Sequence, residues 1–428
     1  MVRPGFSSKH LSRGPGMLAQ EAPPALEYGL ALRPTLDFLK TETAGGAALA
    51  GAALVALILA NSPWAHDYFD LIGTPLTIQI GGFVETLSVQ DWTKNGLMAL
   101  FFFVVGLEIK QEVLKGELSS PRKLALPVVA ALGGMIVPAL VYLAINRSGM
   151  GGAPEGWPVS TATDVAFALA ALALVGRGLP ESLRLFLLTL AIADDLGAVG
   201  LIAALFTSHI HLASLLGAGL TLAGLILLSE WKDAPLLLRA IGFLMLGGFT
   251  LKSGINTSLA GVAAALTVPI GPRRPGQEPV LRNFMQSLHP YVAFGVLPLF
   301  AFTSAGVSLA GFSPGQVLDP APLGIAAGLF IVKQAGVMAA VWIAIRSGLA
   351  RRPTGATWLE LYGVALLCGV GFTMSLFMGA LAFIPDPPLL QRQAVLGVIA
   401  GSLASMLAGV AVLSVAARRR RLTRGDEG

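Results

Sequence analysis

The sequence predicts an all-α polytopic membrane protein of about 12 transmembrane helices, with inverted-topology repeats, two broken helices and a small extracytoplasmic β-hairpin. Three observations carry that prediction. The 428 residues are 54% hydrophobic and only 12% charged, with a mean hydropathy of +0.74, whereas soluble domains carry about 25% charged residues. Apolar windows long enough to span a bilayer recur along the whole chain. With both termini placed in the cytoplasm, 24 of the 29 lysines and arginines fall inside, against Lys94, Arg147, Lys252 and Arg392 outside. That asymmetry is what the positive-inside rule requires, and missing one span mid-chain would destroy it.

Residues 1–40 hold Arg3, Lys9, Arg13, Arg33 and Lys40 among scattered Pro, Gly and Ser, with no apolar stretch ending in a small-residue cleavage site. They read as a cytoplasmic extension, not a signal peptide. The membrane domain follows over 41–416, with spans centred on 44–62, 95–114, 124–145, 159–176, 185–207, 211–229, 236–251, 255–270, 290–310, 321–345, 358–383 and 393–416. Residues 417–428, with the run Arg418 to Arg421, form a basic cytoplasmic tail. Between the first two spans, residues 76–89 (LTIQIGGFVETLSV) are two β-prone runs around Gly81-Gly82, a hairpin signal. An isolated hairpin is marginal in water, so this one is expected to pair with a second copy or to pack on the membrane surface; an extended loop is the alternative. The single cysteine, Cys368, lies in an apolar segment, which excludes a disulfide framework or a Cys-based metal site. The net charge of +5 follows from the inside segments and implies no nucleic-acid partner. The 51 glycines suit close helix packing in lipid.

Against this apolar background a few charges stand out. Asp194 and Asp195 sit side by side within Leu185 to Phe206, a 22-residue run. Asp164 and Lys333 also lie deep in spans, and Glu108 lies near the cytoplasmic end of another. Each deep charge costs about 2.5–3.5 kcal/mol to insert, and three acids cannot be neutralised by one lysine. The surplus negative charge calls for a bound cation or for protons. Helical neighbours point about 100° apart, so one aspartate can face Lys333 while the other faces a water-filled cavity. Such a pair titrates in two coupled steps, and a cation that displaces protons from it performs an exchange.

Two segments are interrupted. Thr161-Ala162-Thr163-Asp164 follows Pro158 and precedes the apolar half-span Val165 to Val175; Gly369-Val370-Gly371-Phe372-Thr373 interrupts the span 358–383. These are the fourth and eleventh spans, the middle members of two oppositely oriented triplets (spans three to five and ten to twelve). Broken helices in inverted triplets point to a transporter binding site. Asp164 and Lys333 could balance the partial charges of the half-helix ends.

Several blocks carry a resemblance to a known family. Ala162 to Ala168 (ATDVAFA) is similar to the fourth-helix signature of NhaA-type sodium/proton antiporters, and Asp194-Asp195-Leu196-Gly197-Ala198 resembles their paired-aspartate motif. Phe101 to Glu112 (FFFVVGLEIKQE), Leu297 to Leu309 (LPLFAFTSAGVSL), Lys333-Gln334 and Gly369 to Phe377 (GVGFTMSLF) resemble further family blocks in the same order. The match runs from about residue 40 to 416.

The resemblance implies a core of spans within 124–207 and 321–416, and an interface domain of spans within 44–114 and 211–310 that includes the hairpin 76–89. It implies electrogenic exchange of Na⁺ or Li⁺ for H⁺ by alternating access, no cofactor, a bacterial inner-membrane location and a homodimer formed through the hairpin. Asp195 matches the principal ion-binding carboxylate. Asp194 matches the partner of the lysine at Lys333, Asp164 remaining the alternative partner. Thr163 and Asp164 match positions that line the site. Glu108, Glu112 and His289 match part of a pH-sensing cluster. Departures are Asn95 where the family often has an acid, Gln111 for a basic residue, Lys115 for an acid, and Met285 and Gln286 at polar or titratable positions. A shifted or flattened pH profile is therefore expected.

Two other classes fit the intramembrane acids less well. An aspartyl protease needs its two aspartates on separate helices, typically in a Gly-x-Gly-Asp context that this sequence lacks. A passive cation channel would display rings of carbonyls or like charges, not an adjacent acid pair with a buried lysine.

Overall fold

Helix α1 (Ala44–Ala60) turns through 117° into α2 (Ala65–Gly73). The computed structural model describes residues 44–81, 83–115, 121–147, 152–176, 178–207, 210–231, 234–272, 279–311, 313–383 and 388–425. The extension expected over 1–40 and the end of the basic tail lie outside the described residues.

The two β-prone runs pair antiparallel as β1 (Pro75–Ile80) and β2 (Phe83–Ser88), in the register Leu76 to Leu87 and Thr77 to Thr86. Gly81 takes φ +58°, which the two-residue turn requires and glycine permits. The hairpin is also tied down within its own chain. Trp92 Nε1 donates to the Leu76 carbonyl at 2.8 Å, and Lys252 meets Glu85 at 3.6 Å. Ser88 caps α3 (Val89–Trp92), and Asn95 Nδ2 donates to the Asp91 carbonyl at 3.0 Å.

The rest is helical: α4 (Met98–Lys115), α5 (Pro121–Ile145), α6 (Val165–Val175), α7 (Glu181–Leu205), α8 (Leu212–Glu230), α9 (Leu236–Ser253), α10 (Thr257–Thr267), α11 (Val280–Tyr291), α12 (Leu297–Ala305), α13 (Pro320–Ala327), α14 (Lys333–Arg346), α15 (Trp358–Leu367), α16 (Phe372–Ala382) and α17 (Pro388–Gly425). A 3₁₀ segment, Pro154–Ser160, precedes α6. Turns of π-helix, Thr93–Leu97, Val292–Val296 and Gly328–Val332, lead into α4, α12 and α14.

Among the described residues, eight helical segments are long and apolar enough to cross a membrane. Two more qualify if the bent pairs α1/α2 and α15/α16, the latter bent by 43°, each count as one span. Against the expected 12, eight to ten segments thus qualify on length and apolarity among the described residues. Two predicted windows hold helices of a different character. Helix α4 carries Glu108, Lys110, Glu112 and Lys115 within 18 residues, and α10 has only 11.

Packing places the helices in two neighbourhoods. Helix α5 lies along α14 and α7, and α17 lies along α13 and α15; α4 lies along α10, and α8 along α9. Phe102, Phe300 and Phe377 join the two neighbourhoods, with ring centroids 5.5 and 6.1 Å from Phe377. The α5–α14 crossing is close enough to require glycine on both sides. A Cβ at Gly133 would lie 2.5 Å from the Gly336 carbonyl oxygen, and one at Gly336 would lie 2.4 Å from that of Gly133. Such small-residue crossings let backbones touch in lipid. This one fixes the start of α14 and with it Lys333.

Candidate functional site

The two interrupted segments cross. The non-helical stretch between Ser160 and Val165 meets the break between α15 and α16. The Asp164 amide donates to the Val370 carbonyl at 2.6 Å, and Thr163 Oγ1 donates to that of Cys368 at 2.9 Å. Ser375 Oγ donates to the Val159 carbonyl at 2.7 Å. Glycine permits the approach: a Cβ on Gly371 would stand 2.9 Å from the Ala162 oxygen and 2.1 Å from Ser375 Oγ.

Breaking two helices exposes amides and carbonyls that a membrane interior cannot solvate, and the crossing supplies partners for them. Asp164 caps α6, accepting from the Phe167 amide at 3.2 Å on Oδ1. Its Oδ2 accepts from the Thr373 amide at 3.0 Å and from the Thr373 hydroxyl. One carboxylate therefore serves the N-termini of both α6 and α16, where negative charge is favoured. The Gly371 and Phe372 amides each donate to Ser402 Oγ of α17 at 3.2 Å. At the opposite pole, the Lys333 ammonium donates to the Thr161 carbonyl, at the C-terminal end of the 3₁₀ segment.

Lys333 also pairs with Asp194: Nζ to Oδ2 is 3.0 Å, and both side chains are 1% exposed. Of the two partners the sequence allowed for Lys333, the fold selects Asp194, while the helix ends occupy Asp164. The second oxygen of Asp194, Oδ1, is buried without a hydrogen bond from any described residue. Asp195, on the next face of α7, is 5% exposed and has no hydrogen bond or ion pair among the described residues. The charges that reach it are those of Asp194, Glu108 and Asp164 and, in the opposite sense, that of Lys333.

Thr163, Asp164, Asp194, Asp195 and Lys333 are thus gathered about one crossing. Glu108 and Glu112 lie half-buried on α4, against which α11 packs with a half-buried His289; all three take part in polar contacts. Among the described residues, no three acid, histidine or cysteine side chains converge to hold a resident metal. A bound ion here would use one or two carboxylates supplemented by hydroxyl and carbonyl oxygens.

Several participants escaped the reading of the sequence. Ser375 and Ser402 look like small residues in apolar helices, although buried Ser402 and Ser405, three apart, signal a polar stripe. A second ion pair, buried Glu360 with partly exposed Arg420 at 3.1 Å, was also missed. Its visible trace was Thr357-Trp358-Leu359-Glu360 before an apolar run, the capping-box signature.

Comparison with known proteins gives the same assignment. The sequence model of the family described as Na+/H+ antiporter 1 matches residues 36–413. The Na(+)/H(+) antiporter NhaA 2 of Pseudomonas savastanoi pv. phaseolicola is 49% identical over 394 residues, covering 91% of this chain and 97% of that protein. The Na(+)/H(+) antiporter NhaA of Rhodospirillum rubrum is 48% identical over 396 residues, covering 90% and 98%. That of Bordetella parapertussis is 47% identical over 386 residues, covering 88% and 95%. With crossed broken helices, paired aspartates and a buried lysine in the region these matches span, the chain belongs to the Na+/H+ antiporter 1 family.

Proposed function

We propose that this multi-pass membrane protein is an electrogenic exchanger of Na⁺ (or Li⁺) for H⁺, working by alternating access at the helix crossing. It is a transporter, not an enzyme, and the ions are cargo, not cofactors. The observation that carries the reading is the unequal state of the adjacent aspartates: Lys333 holds Asp194 at 3.0 Å, while Asp195 has no partner among the described residues. A buried carboxylate with no ion-pair or hydrogen-bond partner of its own is stabilised either by a proton or by a small cation. The two therefore compete for Asp195, and competition at one site that faces each side in turn is exchange. Asp194 and Lys333 form the second, ion-paired element; Thr163 and neighbouring carbonyls add oxygen ligands. Asp164 stabilises the break by accepting hydrogen bonds at the N-termini of α6 and α16.

The supporting architecture is a core of spans three to five and ten to twelve, within 124–207 and 321–416, moving against an interface domain within 44–114 and 211–310. The packing of α5 on α14 and of α13 and α15 on α17, apart from the α4–α10 and α8–α9 pairs, supports that division. The remaining elements of the proposal are both termini in the cytoplasm, the bacterial inner membrane, a homodimer through the β1–β2 hairpin, and a pH-responsive group of Glu108, Glu112 and His289.

The test is sodium-dependent proton release from proteoliposomes bearing a pH indicator. Wild-type protein is expected to respond to Na⁺ and Li⁺, and Asp195→Asn to respond to neither. Undiminished exchange in that variant would remove Asp195 from the site. Sodium flux without proton counterflow in the wild type would instead indicate a channel.

A further inference from the structure

Helix α15 is the ten-residue arm that delivers the Cys368 and Val370 carbonyls to the crossing, and its other end is hooked. Glu360, in its first turn, is 1% exposed and makes two contacts with its carboxylate. Oε2 accepts from the Thr357 amide at 2.7 Å in a capping box, and Oε1 meets Arg420 Nε of α17 at 3.1 Å. Arg420 also donates to the Gly355 carbonyl just ahead of α15. Between hook and crossing, α15 and α17 run antiparallel in direct contact. A Cβ on Gly363 would stand 2.6 Å from Leu413, and one on Gly409 would stand 2.6 Å from Leu367. Leucines seated on these glycines hold the two helices together midway, and the Glu360–Arg420 pair adds a polar tie at the end of α15 farthest from the crossing.

From these observations we infer that Glu360 and Arg420 are positioning residues for ion exchange: their pairing sets the axial register of α15 on α17 and so the position of the Cys368 and Val370 carbonyls at the ion site. The hook lies eight residues from Cys368, about 12 Å along a helix, and touches neither Asp195 nor Lys333. Thr163 and Asp164 read the register directly, because the Thr163 hydroxyl and the Asp164 amide donate to those two carbonyls. A small displacement there alters the oxygen cage without removing a titrating group, and such misplacement acts strongly on a site that depends on geometry. The inference rests on the exchange reading above.

Glu360→Gln isolates the charge, since glutamine retains the capping-box acceptor for the Thr357 amide. In proteoliposomes it is expected to raise the apparent KM for Na⁺ about three- to tenfold, with the maximal rate changed less than about twofold. Arg420→Gln should do the same, and the double variant should shift KM no further than Arg420→Gln alone, the mark of two residues acting as one. Lowered thermal stability with an unchanged KM would reduce the pair to a structural tie and overturn the inference, as would shifts that multiply in the double variant. Should Glu360→Gln fail to accumulate, Arg420→Gln gives the same KM reading from a partly exposed side chain whose loss opens no core cavity. Absence of sodium-dependent proton release in the wild type would fault the exchange reading itself, not the hook.

Discussion

Two ion pairs in this molecule have the same length and opposite surroundings. Lys333–Asp194, at the crossing, and Lys94–Asp91, at the base of the hairpin, are both 3.0 Å apart. The first is 1% exposed on each side, whereas the second is 14% and 41% exposed. At the hairpin, water solvates either partner if the other is lost, so the pair contributes little. At the crossing, a lone charge would be stranded in a dry interior, so the two charges stand or fall together. Distance says that both pairs exist; burial says which one the protein depends on.

Lys333→Ala should break the comparison most visibly. It leaves Asp194 buried without its cation, at an expected cost of about 3–5 kcal/mol, read as a large drop in melting temperature together with altered exchange. An unchanged melting temperature would show that the ion pair is not dry, leaving the assignment of Asp195 untouched. Next in size is Gly336→Ala. Its Cβ would press on the backbone oxygen of Gly133, and such overpacking costs typically about 1–3 kcal/mol. Because α14 carries Lys333, exchange should weaken in step with stability, and a neutral result would mean that α5 and α14 can part freely. Thr373→Val removes one hydrogen bond to the Asp164 carboxylate while the Phe167 and Thr373 amides remain, and bonds to charged groups are worth about 1.5–3 kcal/mol; denaturation midpoints should fall by less than for Lys333→Ala.

At the small end, Lys94→Ala is expected to cost about 0.2–1 kcal/mol, the range for solvent-screened pairs. Partial burial pushes the Asp91 carboxyl up, but the Lys94 ammonium and the Ser88 hydroxyl outweigh it and hold the group below the usual carboxylate range. Its stabilising effect is therefore complete above the ordinary carboxylate pKa and is lost as acidification protonates the folded form. Lys94→Ala should narrow the difference in hairpin stability between neutral and strongly acidic pH. A hairpin whose acid sensitivity is the same with and without Lys94 would show that this pair has no role.

How legible each region was in the sequence follows from the same contrast. Asp164, Asp194, Asp195 and Lys333 could be picked out because a charge within an apolar run is expensive wherever the fold puts it. The hairpin was visible because Gly81-Gly82 sits between alternating runs, a local signal for a local structure. The choice of Asp194 over Asp164 as the partner of Lys333 was not legible, since it depends on which carboxylate the helix N-termini already occupy. Nor were Ser402 and Arg420, whose roles arise only when α17 is laid against α15 and α16. The count of spans blurred where charge and length mislead, in α4 with its four charged residues and in the 11-residue α10.

The double duty of Asp164 bears on the valence of the ion that can be carried. Two helix N-termini together amount to roughly one positive charge, which Asp164 matches, while Lys333 matches Asp194. On the proposed assignment the crossing is then short of a single positive charge, at Asp195. A proton or an alkali-metal ion restores neutrality. A calcium or magnesium ion would overshoot by one charge in a medium where an excess charge costs several kcal/mol, and among the described residues no three acids converge to hold it. Discrimination against divalent ions would thus be built into the backbone that breaks the two helices, ahead of any selection by ionic radius.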